Sequence, residues 1–108
     1  MGNTERITKT AMPHLIITSQ AVDDLERVQN FLAEKSVEAA ERAKAVIVEH
    51  LEKVQRFPTI YKPVPTEKDT RDIVIAFGSY GYVLRYRYNQ EADTVTVLRV
   101  WHQREQQD

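Results

Sequence analysis

The 108-residue chain contains no cysteine, three glycines, four prolines and a single tryptophan. Without thiols it cannot form a disulfide, a thiolate nucleophile, an iron–sulfur cluster or a cysteine zinc site, and the composition suits the cytoplasm. The glycines, at positions 2, 78 and 81, are too few and too scattered to build a loop that cradles phosphates with backbone amides, which argues against nucleotide hydrolysis. A strong charge of one sign is also missing: fifteen Lys and Arg stand against sixteen Asp and Glu, for a net charge of −1. Such a molecule has no overall positive field to hold it on phosphate backbones, so any nucleic-acid contact has to be local. Long apolar runs are absent too. The twelve uncharged residues between Asp72 and Arg85 include Gly78 and Gly81 and fall short of the ~20 apolar residues of a membrane span. Met1 to Ala11 is polar, with Glu5, Arg6 and Lys9, and lacks the apolar centre of a secretory signal.

What is present describes one domain of ordinary size. Residues 1–12 read as a flexible leader, with Met12-Pro13 an alternative start, and residues 13–108 as a single folded unit. His14-Leu-Ile-Ile-Thr18 is short, apolar and β-branched, which predicts a buried strand. Ser19 offers a helix cap, Asp23 and Asp24 lie where carboxylates suit the helix dipole, and Val22, Leu25, Val28 and Leu32 recur at helical spacing. Ser36 offers a second cap. Ala40, Ala43, Ile47, Leu51 and Val54 continue the helical period to Phe57-Pro58, so two helices fold back on each other as a hairpin. Between Ser19 and Phe57 eight acidic and six basic residues are interspersed, the pattern of a solvated outer face. Thr59 to Thr70, with Pro63 and Pro65, reads as a loop. Three strands follow: Asp72 to Phe77, Tyr82 to Tyr88 and Thr94 to Trp101, with short turns that make them an antiparallel meander. The expected fold is α+β in the order β-α-α-β-β-β, a helical hairpin packed on one face of a small, largely antiparallel sheet.

The second of these three strands sets Tyr82, Leu84, Tyr86 and Tyr88 on one face and Val83, Arg85 and Arg87 on the other. From Arg71 to Arg104 five arginines stand against Asp72, Glu91 and Asp93, an excess of +2 that suits a carboxylate-rich partner or a small phosphate contact. His14, His50 and His102 are too dispersed for a local metal motif, so no metal is expected, and no cofactor motif is present. Asp23 and Asp24 do not read as a catalytic pair, because adjacent helical residues point about 100° apart. The site-like group is the C-terminal run Trp101-His102-Gln103-Arg104-Glu105. An imidazole can move protons near neutrality and a guanidinium can steady a developing phosphate charge, which is what ribonucleolytic transfer requires.

From about Leu15 to Glu105 the chain resembles the RelE/ParE superfamily, the toxin half of bacterial type II toxin–antitoxin modules, often labelled plasmid stabilization proteins. The resemblance rests on the first strand with Ser19-Gln-Ala21-Val-Asp-Asp24-Leu25, the hairpin closing at Phe57-Pro58, Arg71 before a strand, Gly81-Tyr82-Val-Leu-Arg-Tyr86, and Val97-Leu-Arg-Val-Trp-His102-Gln-Arg104. It implies a cognate antitoxin encoded beside the toxin, with operator DNA reached only through that antitoxin. It also implies one of two mechanisms: poisoning of DNA gyrase, as in ParE-type chains, or ribosome-dependent mRNA cleavage, as in RelE-type mRNA interferases. RelE-type nucleases carry two alternate lysines on the strand before the Gly-Tyr turn and an arginine after that tyrosine, where this chain has Val74, Ala76 and Val83. Of that basic set only Arg104 matches, and each lost contact to a scissile phosphate costs ~2.7 to 4 kcal/mol of transition-state binding. The terminal His102-Gln-Arg104 and the near-neutral charge resemble ParE-type chains, and the gyrase reading is preferred. Under the nuclease alternative His102 and Arg104 are catalytic, supported by Arg85 or Lys68. A third possibility is an antitoxin-binding module without toxicity. Arg71, Arg85, Arg87, Arg99 and Trp101 are the expected contacts for antitoxin or target, since antitoxins of such modules wrap the toxin with an acidic or amphipathic segment.

Overall fold

The computed structural model describes residues 12–78 and 80–103, with the backbone alone at residue 80. The expected leader, apart from Met12, lies outside the described residues.

β1 (His14–Ile17) runs parallel to the last strand, with His14 opposite Thr94 and Ile17 opposite Val97. It was expected to be buried, but it forms the edge of the sheet, and only Leu15 packs against the core while Ile16 is half exposed. Thr18, not Ser19, caps α1 (Ser19–Lys35): its hydroxyl accepts from the Ala21 amide at 3.1 Å and donates to the Leu98 carbonyl at 3.2 Å. One residue thus starts the helix and ties its first turn to the sheet. The buried side of α1 is Ala21, Asp24, Val28 and Leu32, with Leu25 partly covered and Val22 exposed.

Ser36 is both the end of α1 and the cap of α2 (Val37–Arg56). Its amide donates to the Leu32 carbonyl at 2.8 Å and its hydroxyl accepts from Ala39 at 3.1 Å, so a single residue reverses the chain. The Gln29 amide bridges to the Ala40 carbonyl at 2.8 Å and locks the hairpin. Ala40, Ala43, Ile47, Leu51 and Val54 are all buried, as their spacing predicts.

The segment read as a loop contains one more strand, β2 (Lys62–Pro63), paired with β3 (Thr70–Phe77). It is two residues long because Pro63 has no amide to extend a ladder. β3, β4 (Tyr80–Asn89) and β5 (Thr94–His102) form the antiparallel meander, each beginning at or before the expected residue. The sheet order is β1-β5-β4-β3-β2, with α1 packed on β5 and α2 on β3. Ile73, Ile75, Tyr82, Leu84, Tyr86, Val95, Val97 and Val100 fill the space beneath the helices. This is the α+β architecture expected, mixed only through the parallel β1.

Candidate functional site

A bulge decides which side chains face away from the helices. Tyr86 pairs with Val97 and Arg85 with Arg99, so Leu98 is an extra residue on β5. In a regular strand Arg99 and Trp101 would share the face of Val95 and Val97. The inserted residue instead turns Val100 and His102 toward the helices and carries Arg99 and Trp101 to the outer face, across from Arg85 and Val83. The outer face therefore holds Val74 and Ala76 of β3, Val83, Arg85 and Arg87 of β4, and Arg99 and Trp101 of β5.

On that face Arg85 is the centre of a closed arrangement. Its Nε and Nη2 donate to the two Asp72 oxygens at 2.8 and 3.0 Å, a bidentate pair, and Nη1 reaches Glu67 at 3.3 Å. Its guanidinium carbon lies 5.2 Å from the centre of the Trp101 ring, which is 7% exposed. The Asp72 hydrogen bonds push the Arg85 pKa still higher and keep the side chain charged. A groove of about 690 Å³ runs beside it, lined by Thr18 and Gln20 at the start of α1 and by Thr66, Arg99 and Trp101.

Arg99 meets the outer face at one end and a buried carboxylate at the other. Asp24, 2% exposed, accepts from Arg99 Nε at 2.8 Å, from the Val100 amide at 2.9 Å and from Arg27 at 2.9 Å. β1 stops pairing at Val97, so beyond that point β5 is an open edge, and Asp24 supplies the acceptor that Val100 would otherwise lack. Burial alone would raise the Asp24 pKa. The hydrogen bonds from Arg99, Val100 and Arg27 outweigh it and hold the carboxyl below its ordinary value. Sequence spacing placed this residue at the helix start to suit the dipole, whereas it sits in the second turn as the link between α1 and β5. The one local hint is Arg27, three residues on and able to pair with it.

The remaining predicted residues are dispersed. Arg71 points to the helix side of the sheet, across from Tyr86, and donates to the Tyr61 carbonyl at 2.6 Å. Arg87 is exposed and has no hydrogen bond or ion pair among the described residues. His102 lies on the helix side, edge-on to Tyr82 at 5.3 Å and to Phe31 at 6.4 Å between ring centres. Trp101 and His102, adjacent in the chain, are therefore separated by the sheet. Arg104 lies outside the described residues. Lys68 is exposed on the loop before β3 and lines a second groove with Arg71 and Arg87. Among the described residues no three His, Cys, Asp or Glu side chains are placed to hold a metal ion, and no helix is long and apolar enough to cross a membrane. Chemically, the described outer face offers aromatic and paired-charge contacts, with the imidazole on the other side.

The family model described as the ParE toxin of the type II toxin-antitoxin system, parDE, matches residues 15–107. The chain is 33% identical over 93 residues to Toxin RelE1 of Caulobacter vibrioides, covering 85% of this chain and 95% of that one. Among solved structures, the toxin–antitoxin complex RelBE2 of Mycobacterium tuberculosis matches with a TM-score of 0.61 and 26% identity, over 86% of this chain and all of the other. The chromosomal ParDE system of P. aeruginosa matches with a TM-score of 0.64 and 20% identity, over 84% and 96% of the two chains, a likeness of fold.

Proposed function

The chain belongs to the ParE toxin family of type II toxin–antitoxin systems, and from that premise we propose that it arrests growth by trapping DNA gyrase on cleaved DNA, with a cognate antitoxin as its neutralising partner. The observation that carries this reading is that His102 and Arg85, the cation expected to support it in a nuclease, lie on opposite faces of the sheet. Phosphoryl transfer needs an acid–base group and cations converging on one phosphate. Here His102 faces the helices, Arg85 is held by Asp72 and Glu67, and Arg99 is held by Asp24. The alternate outward positions Val74, Ala76 and Val83 carry no charge. A poison needs none of this chemistry, because the bonds are cut by the enzyme it holds. Trp101, Arg85 and Arg99 then act as a shaped contact surface for gyrase or for an antitoxin segment. Operator DNA is reached through the antitoxin.

The likeness to Toxin RelE1 favours a second reading, ribosome-dependent mRNA cleavage with His102 and Arg104 as the catalytic pair. Expression of the chain without antitoxin separates the two. Growth arrest with chromosomal double-strand breaks that depend on gyrase is the expected result. Arrest with cleaved messages and an intact chromosome favours the nuclease. Normal growth from a folded, soluble chain means an antitoxin-binding module without toxicity.

A further inference from the structure

The arginines of the sheet fall into two sets. Arg85 and Arg99 are joined to carboxylates at 2.8 Å. Arg71 and Arg87 make no ion pair among the described residues, and Arg71 is anchored only through a neutral carbonyl. Arg71 lies on β3 and Arg87 on the central strand β4, where Thr70 pairs with Arg87 and Arg71 with Tyr86. Together with Lys68 they line an open groove of about 490 Å³, and Lys62 stands one strand further out, opposite Asp72. Asp69 and Glu91 share the groove, which leaves it a net positive charge in a molecule whose total is −1.

We propose that this groove binds the phosphodiester backbone of a nucleic acid, so that the toxin has a nucleic-acid contact of its own, apart from any made by an antitoxin. The inference does not depend on which cellular machine the toxin attacks. Lys68, Arg71 and Arg87 around one groove, none of them in an ion pair among the described residues, give the local positive field that the whole-molecule charge does not. The other side chains in the groove separate this ligand from an acidic peptide. Asn89 and Gln90, both exposed, offer amides that donate and accept. The neighbouring edge strand β2 contains Pro63, which cannot donate to an added peptide strand, so the usual backbone route to peptide affinity is weak there.

The test is fluorescence anisotropy of the purified full chain with a labelled DNA duplex and a labelled single-stranded RNA over a range of salt concentrations. Three phosphate contacts predict a slope of about −3 in log K against log salt for duplex DNA. Lys68→Gln and Arg87→Gln should each reduce that slope by about one and weaken binding to every sequence alike. Both side chains are exposed and form no bond among the described residues, so melting temperature should not move. Lys44→Gln, on α2 in a separate groove beside Ile17 and Leu25, serves as the control and should change nothing. Salt-dependent binding of either nucleic acid that is lost in the Lys68 and Arg87 variants supports the proposal. It is overturned if those variants bind as the parent does, if neither nucleic acid binds, or if polyglutamate binds as tightly as the nucleic acids.

Discussion

Replacing Asp24 by alanine should be among the most damaging single changes outside the hydrophobic core. The carboxylate is 2% exposed and satisfies three donors, of which the Val100 amide is buried and belongs to an unpaired strand edge. Arg27 and Arg99 are 44% and 32% exposed in their side chains, so water replaces most of what they lose, and their share is modest. The amide has no such recourse, and leaving it unbonded costs ~1–3 kcal/mol. With a small contribution from the two arginines and from the gap left behind, Asp24→Ala should lose about 3 kcal/mol, or roughly 15 °C in melting temperature for a domain of this size. Asp24→Asn keeps an acceptor for Val100 and discards the charge, so it should lose about half as much. The pH dependence has a definite sign. A carboxyl whose folded-state pKa is lowered stabilises the protein fully above the unfolded value, near 4, and that stability is lost as pH falls toward the lowered folded value. The parent should therefore weaken in this range more steeply than Asp24→Asn. Urea unfolding followed by circular dichroism from pH 7 to pH 3 measures both effects. An Asp24→Ala variant within about 0.5 kcal/mol of the parent at pH 7 would refute the assignment of Asp24 as the link between α1 and β5.

Ser36→Ala removes the cap of α2 at the one-residue turn and should cost about 1 kcal/mol in urea unfolding, with Ser36→Gly closer to the parent. Tyr86→Phe deletes a fully buried hydroxyl that donates to the Pro58 carbonyl at 2.5 Å, and should cost about 1 kcal/mol while leaving the fold intact by circular dichroism. The same burial drives the Tyr86 pKa well above its ordinary value, so alkaline titration followed by absorbance should find this phenol ionising only as the protein unfolds. His102→Ala should leave growth arrest by gyrase poisoning in place, read as colony formation on induction, provided the protein remains folded; abolished message cleavage would assign His102 to the nuclease reading.

How far the sequence reveals this structure varies with the element. α2 is fully legible because Ala40, Ala43, Ile47, Leu51 and Val54 are apolar at every turn and all are buried. α1 is less so, because one of its inward positions is occupied by Asp24, and a carboxylate does not register as core when its partners, Arg99 and the Val100 amide, lie 75 and 76 residues away. Alternation along β4 assigns its two faces correctly, since the strand is regular on its own side of the pairing. It fails on β5, where Leu98 shifts the phase by one residue, and that shift decides that Trp101 faces outward while His102 faces the helices. Of the C-terminal group, Trp101 and His102 are thus neighbours in the chain but not across the sheet, and Arg104 lies outside the described residues. Charge counting found the arginines but not their commitments: Asp72 and Glu67, which hold Arg85, lie thirteen and eighteen residues before it.

The most direct test of the functional account is to incubate the folded chain with DNA gyrase, ATP and supercoiled plasmid, and to look for linear DNA after detergent and protease treatment. The account predicts linear product that disappears when antitoxin is added first. Plasmid that stays free of breaks, with the same chain cutting ribosome-bound message in a parallel reaction, would contradict it.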